Sequence, residues 1–250
     1  MDKYLTNQID KHVLNKLLIC AQYSKIVYSE ETVTENKDFT FCKNEKSNVE
    51  FLVKEDHKNK ICYIVFRGTS SLTDWVHDLN VFKTQPAYIN KKCKVHMGFN
   101  DGYISVRDLL CNYYNRKNEF DRFVFSGHSY GAALCTLAAF DCRHNFTDFA
   151  CKVECITFGS PRVGNYAFKQ LFDTYIHTSY RCVYKKDPVT VVPSYFRFRH
   201  VKNQLRCSNK PRYVYPNTVI SSFLNLFFLK IKDHSMTNYI HSIKKEIDNI

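Results

Sequence analysis

Gly127-His128-Ser129-Tyr130-Gly131 is the stretch of this chain whose residue types and spacing come nearest to covalent chemistry. It follows a short apolar run at 122–125 and precedes the helix-forming run Ala132-Ala133-Leu134-Cys135-Thr136-Leu137-Ala138-Ala139-Phe140. A serine between glycines at two before and two after suits a sharp strand-to-helix turn that lifts its hydroxyl clear of the backbone. The small flanking residues let helix and strand approach closely. Such a hydroxyl becomes a nucleophile once a base takes its proton, an acid orients the base and donors hold the developing oxyanion. The backbone N–H of Tyr130, next after the serine, is one such donor. His200, His234 and His241 follow the turn at a distance that leaves room for an intervening acid, and Asp173, Asp187 and Asp233 are the acids to weigh.

Positioning these groups requires a scaffold, and the hydrophobic pattern supplies one. Residues 8–28 set Ile9, Val13, Leu17, Leu18 and Ala21 at helical spacing. Residues 61–66 form a buried strand ending at Gly68; 122–125 lead into the serine turn; 151–158 and 179–184 read as further strands. Strands alternating with helices predict an α/β fold, a mostly parallel central sheet with helices on both faces. The seven glycines all lie between residues 68 and 164, most at strand ends, where open parallel sheets place their sites. No repeat, low-complexity tract or linker interrupts the chain, so a single domain over 1–250 is expected.

Composition narrows the function classes. Formal charge is +12, and residues 181–250 hold 13 Lys/Arg against 4 Asp/Glu, so an excess of nine lies in the last 70 residues. A basic end suits either solvent or an anionic surface; without a zinc-finger, RNP or helix-turn-helix signature, no nucleic-acid partner is expected. Neither H-E-x-x-H nor a phosphate-binding glycine loop occurs, so no metal and no cofactor is expected. The eleven cysteines are odd in number and include no C-x-x-C, which reads as small buried hydrophobes in a reducing compartment. The apolar run at 219–229 is too short to span a bilayer, and the acid-bearing N-terminus has no signal-peptide core. These features predict an intracellular, cytoplasmic protein.

Several motifs occur in series: Phe66-Arg67-Gly68-Thr69, Val95-His96-Met97-Gly98-Phe99, the Ser129 turn, Thr157-Phe158-Gly159-Ser160-Pro161-Arg162-Val163-Gly164-Asn165, Asp187-Pro188-Val189 and Asp233-His234. Over roughly residues 10–245 this order closely resembles the class 3 (fungal-type) lipases, α/β-hydrolases that cleave acylglycerol esters. The resemblance implies Ser129 as nucleophile, His234 as base and Asp187 as acid, with Thr69 joining Tyr130 in the oxyanion hole. It departs from the family pattern D-H-x-x-Y in one respect, since the tyrosine, Tyr239, stands two positions late. His200, in the strand-like run 197–202, reads as a surface residue. His128 and His96 match positions that support packing around the serine turn. The capping box Ser71-Leu72-Thr73-Asp74 opens a segment that the family uses as a lid, with Leu72, Trp75, Val76 and Leu79 on its apolar face. The implied activity is a serine esterase of the triacylglycerol lipase type acting on a lipid or acyl ester substrate. A phospholipase A1 or monoacylglycerol lipase would use the same parts. A silent lipid-binding module is the rival of another class, against which the complete triad stands; a serine peptidase has no feature in its favour. Phe223, Leu226, Phe227, Leu229, Lys230 and Lys232 are candidates for peripheral contact with an anionic membrane or lipid droplet surface, or else for plain packing and solvation.

Overall fold

Strands buried on both faces should be near-continuous in hydrophobicity, and Ile61-Cys62-Tyr63-Ile64-Val65-Phe66 is such a run. The computed structural model describes residues 9–69, 82–89, 92–116, 118–146, 152–194, 196–207, 212–213 and 231–250, without the side chains of Val33, Thr34, Arg212 and Tyr213. The N-terminal periodicity becomes α1 (Lys11–Ile26), capped by Asp10, whose carboxylate accepts the His12 N–H at 2.8 Å. A short α2 (Glu30–Glu35) leads to β1 (Phe39–Asn44) and β2 (Val49–Asp56), an antiparallel pair that the periodicity does not predict. β3 (Ile61–Phe66) follows, then a small ribbon of β4 (Lys83–Thr84) with β5 (Val95–His96), and α3 (Met97–Tyr114). β6 (Arg122–His128), α4 (Tyr130–Asn145), β7 (Lys152–Phe158), α5 (Tyr166–Tyr175) and β8 (Thr178–Tyr184) alternate through the middle of the chain. β9 (Gln204–Cys207), β10 (Arg212–Tyr213) and α6 (Met236–Asp248) complete the described elements.

The main sheet runs β1-β2-β3-β6-β7-β8-β9-β10. From β3 to β9 all neighbours are parallel, and antiparallel pairs close both edges. The strand period of two divides the core between the faces. Cys62, Ile64, Phe66, Phe123 and Phe125 pack on one side with α3, α4 and α5, while Tyr63, Val65 and Val124 pack on the other with α1 and α6. The α/β architecture with helices on both faces is therefore as expected. Residues 197–202, expected to be strand-like, form only an isolated bridge between Arg199 and Gly164. The sheet position beside β8 goes instead to β9, which pairs Arg181 with Gln204.

Candidate active site

β6 runs straight into the serine. Ser129 has φ 60° and ψ −126°, with its N–H bonded to Phe158 O at 3.0 Å and its carbonyl accepting the Ala132 N–H at 3.0 Å. A serine at positive φ stores about 1–3 kcal/mol of strain, tolerated only where the surroundings over-determine it. Here they do: a Cβ on Gly131 would overlap the carbonyl oxygen of Phe66 and come within 2.6 Å of that of Arg67. Glycine thus lets the start of α4 touch the end of β3, and the chain leaving β3 passes the serine at Gly68, where a Cβ would lie 3.2 Å from Ser129 Cβ. Ser129 is 2% exposed, and its Oγ has no hydrogen-bond partner among the described residues.

Asp187 and His234 meet across 47 residues. The Nδ1 of His234 lies 2.8 Å from both Oδ1 and Oδ2 of Asp187. Asp187 caps a 3-10 turn, Pro188–Val191, by accepting the Val189 N–H at 2.9 Å, and its carbonyl accepts the Thr190 hydroxyl at 2.7 Å. Arg162, from the Gly159-Ser160-Pro161-Arg162 stretch, binds the carbonyls of Val191 and Pro193, anchoring the far end of that turn. A third donor reaches the carboxylate: the Tyr239 hydroxyl, at 2.5 Å from Oδ2. This is the tyrosine that stands two positions late in the sequence pattern. The 3-10 turn Ile231–His234 and the start of α6 at Met236 turn the chain so that Tyr239 projects back onto the acid. Burial and the adjacent Asp187 push its phenol well above the usual tyrosine range, so it stays a donor. A carboxylate only accepts, so His234 donates from Nδ1, and its Nε2 lies on the ring edge away from the acid. That Nε2 is buried without a partner among the described residues.

A second histidine holds the first. The Nε2 of His128 lies 2.7 Å from the His234 carbonyl, and its Nδ1 lies 2.8 Å from the Tyr28 hydroxyl. Since a carbonyl accepts, His128 donates from Nε2 and accepts the Tyr28 proton on Nδ1. Burial, then the neighbouring His234, hold His128 well below the ordinary value of 6.5, so it is neutral and orients the main chain of His234. The two rings pack 4.3 Å apart. Tyr28 follows α1 and carries no motif, so no sequence signal points to it. His96 is buried against Phe99, with ring centroids 4.3 Å apart.

Ser129, His234 and Thr69 all line one open cavity of about 490 Å³, with Lys25, Ser29 and Thr237 among its other walls. Tyr130 is half-buried against Phe99 at the start of α4. The remaining candidates fall elsewhere. Asp173 accepts Lys169 Nζ at 2.6 Å and the Lys202 N–H at 2.8 Å. Asp233 accepts the Lys186 N–H at 3.4 Å. His241 is exposed on α6. His200 is no surface residue: it is half-buried, with Nε2 2.6 Å from Thr190 O, because residues 197–202 fold back on the turn after Asp187. Leu72, Trp75, Val76 and Leu79, and the run 219–229 with Lys230, lie outside the described residues.

Comparison with known proteins bears on the family and the fold. The profile of the class 3 lipases matches residues 63–196. A secreted mono- and diacylglycerol lipase of Penicillium cyclopium is 33% identical over 141 residues, 55% of this chain and 45% of that protein. A phospholipase A1 of Oryza sativa subsp. indica, named chloroplastic/mitochondrial, is 27% identical over 209 residues, 72% of this chain and 47% of that protein. The chain spans about half the length of the curated relatives it matches. In fold it is similar to the Rhizomucor miehei triacylglyceride lipase, with TM-score 0.75, 21% identity, and coverage of 93% of this chain and 95% of that one. The expected intracellular, cytoplasmic placement does not stand, since fungal relatives are named as secreted. Its grounds, an N-terminus without an apolar core and an odd cysteine count, describe composition and not where a protein works. The ten described cysteines are free, eight of them buried, and no described helix is long and apolar enough to cross a membrane.

Proposed function

Because the chain belongs to the class 3 lipase family, we propose that it is a serine carboxylic ester hydrolase acting on acylglycerols, organised as one domain. Ser129, His234 and Asp187 form its triad, and Thr69 with the Tyr130 N–H forms its oxyanion hole. The observation that carries this reading is the meeting, on one cavity, of a strained serine and a histidine whose Nδ1 is held by a buried carboxylate.

His234 Nε2 takes the Ser129 proton as Oγ adds to the ester carbonyl. The oxygen that becomes negative is met by the Tyr130 and Thr69 donors, each worth about 10²–10³ in rate for groups of this kind. The tetrahedral intermediate collapses, the C–O bond to the alcohol breaks, and His234 returns the proton to the departing oxygen. A water molecule then repeats the sequence on the acyl-serine, releasing the fatty acid. Asp187 holds the imidazole in the reactive tautomer and stabilises its protonated form, while Tyr239 and the Val189 N–H keep the carboxylate in place.

A second reading, a phospholipase A1, is favoured by the polar wall of Lys25, Ser29 and Thr237, which offers a cation and hydroxyls to a phosphate-bearing head group. The deciding experiment compares purified wild type and Ser129→Ala on diacylglycerol and on phosphatidylcholine with the same acyl chains. Ester cleavage by wild type and its loss by about 10⁴-fold or more in the variant supports the mechanism. The preferred lipid selects between the two substrate readings, and cleavage that survives the substitution sinks both.

A further inference from the structure

A buried cation needs a counter-charge, and one arginine of the sheet has none among the described residues. Arg181 lies in β8, opposite Thr157 of β7 and Gln204 of β9. The next residue, Cys182, packs with α1 and α6, so the strand period of two turns Arg181 to the other face. Arg181 is 2% exposed, one of the largest fully buried side chains. Its Nη2 donates to Gln204 Oε1, a neutral acceptor, and its main-chain N–H donates to Asn203 O at 3.0 Å. Its Nε has no partner among the described residues, and no described carboxylate pairs with the guanidinium.

The surroundings add positive charge and take none away. Arg162 donates through Nη1 to the carbonyls of Val191 and Pro193, and His200 sets Nε2 2.6 Å from Thr190 O, so both grip the turn after Asp187. Burial, then the charge of Arg162, pushes the Arg181 guanidinium down to about 9. Burial, then the charges of Arg181 and Arg162, hold His200 well below its ordinary value. Arginine stays protonated at neutral pH, and a charge taken out of water is costly unless it is paired. The carboxylate of Asp187 does not serve, since His234, Tyr239 and the Val189 N–H already occupy it.

We infer that Arg181 forms the floor of a binding site for a small monovalent inorganic anion of the chloride class. The ion accepts the charged Nε–H, a hydrogen bond of the stronger kind. Size follows from the setting. Neighbouring strands lie about 4.8 Å apart, so a phosphate or carboxylate that bears a chain finds no room beside Arg181, while a halide does. Gln204 is half-buried on β9, towards one edge of the sheet, and gives the ion its way in. The site takes in no member of the triad; the ion offsets the charge of a cluster that grips the turn of Asp187.

Thermal melting at constant ionic strength tests this. It owes nothing to ester cleavage, so this inference and the esterase reading fail separately. Replacing sodium gluconate, whose anion is too large to enter, by sodium chloride should raise the melting temperature of the wild type by about 2–4 °C. Gln204→Glu supplies Arg181 with a carboxylate from within. That variant should melt higher than the wild type in gluconate and gain nothing from chloride, whereas a general salt effect moves both chains alike. In wild-type crystals soaked in sodium bromide, the anomalous signal of a bromide should lie within hydrogen-bond reach of Arg181 Nε. Equal melting of the wild type in the two salts, an equal chloride response in both chains, or bromide-soaked crystals with no ion beside Arg181 overturns the proposal.

Discussion

Replacing Gly159 by alanine should drive the acid and the base apart. Gly159 ends β7 at φ +58°, and a Cβ there would lie 2.6 Å from Asp187 Oδ2 and 2.8 Å from both Nδ1 and Cε1 of His234. Ordinary contact begins near 3.4 Å, so all three separations are overlaps. The methyl is fixed to the main chain, whose N–H is bonded to Cys182 O at 3.0 Å, so the carboxylate or the imidazole must yield. Both are buried, and their present separation is 2.8 Å. A misplacement of about 1 Å at a catalytic group costs about 10²-fold in rate. Left-handed backbone adds about 1–2 kcal/mol for a residue with a Cβ. The variant should therefore lose about 10²-fold in kcat/KM on a dissolved p-nitrophenyl ester and melt at a lower temperature, with an unchanged far-UV spectrum. Gly98→Ala is the control: its Cβ would meet only His96 Cε1 at 3.5 Å and Nδ1 at 3.6 Å. Within α3 that alanine should gain about 1 kcal/mol and leave activity intact. Equal activity in the two variants, or a Gly159→Ala enzyme near wild type, would refute the wedge argument.

Other substitutions probe the same cluster. Tyr239→Phe removes one donor from a charged acceptor, so it should cost about 1.5–3 kcal/mol of stability in urea unfolding and lower kcat by loosening the carboxylate that holds the imidazole. Unchanged kcat would mean that the hydroxyl does not act through Asp187. Asp187→Asn should cut kcat by about 10⁴, while Asp233→Asn should be mild, because only Asp187 bonds to the imidazole. Stability itself should depend on His128. Above about pH 6.5 His128 is neutral folded and unfolded; below it the unfolded chain takes up the proton that the folded chain refuses. Unfolding free energy should then fall by up to about 1.4 kcal/mol per pH unit as the solution is acidified. His128→Gln should flatten that limb of the stability curve.

The serine turn was legible because its constraint is local: glycines at 127 and 131 and the apolar run at 122–125 just before them state the geometry in adjacent residues. Asp187 follows a strand and opens a proline turn, which set it apart from Asp173 and Asp233, and of the three it is the one bonded to His234. The Tyr239 hydroxyl was not legible. Its offset from His234 departs from the pattern, and only the 3-10 turn before α6 restores its reach to the carboxylate. Tyr28 was hidden for a different reason: its partner lies 100 residues away, and no local spacing encodes such a contact. β1 and β2 went unpredicted because charged and polar residues interrupt them at the sheet edge. Residues 197–202 read as a strand on composition, yet the Arg199 N–H goes to Gly164 O and the His200 ring to the Thr190 carbonyl in the turn after Asp187.

The central claim is that Ser129 forms a covalent bond during turnover, and an alkyl phosphonate ester that traps activated serines tests it most directly. Mass spectrometry of the treated chain should show a single adduct, located on the peptide that contains Ser129, together with complete loss of ester cleavage. Asp187→Asn should slow its formation, and Ser129→Ala should abolish it. An adduct at another residue, or full inhibition with Ser129 unmodified, would contradict the account.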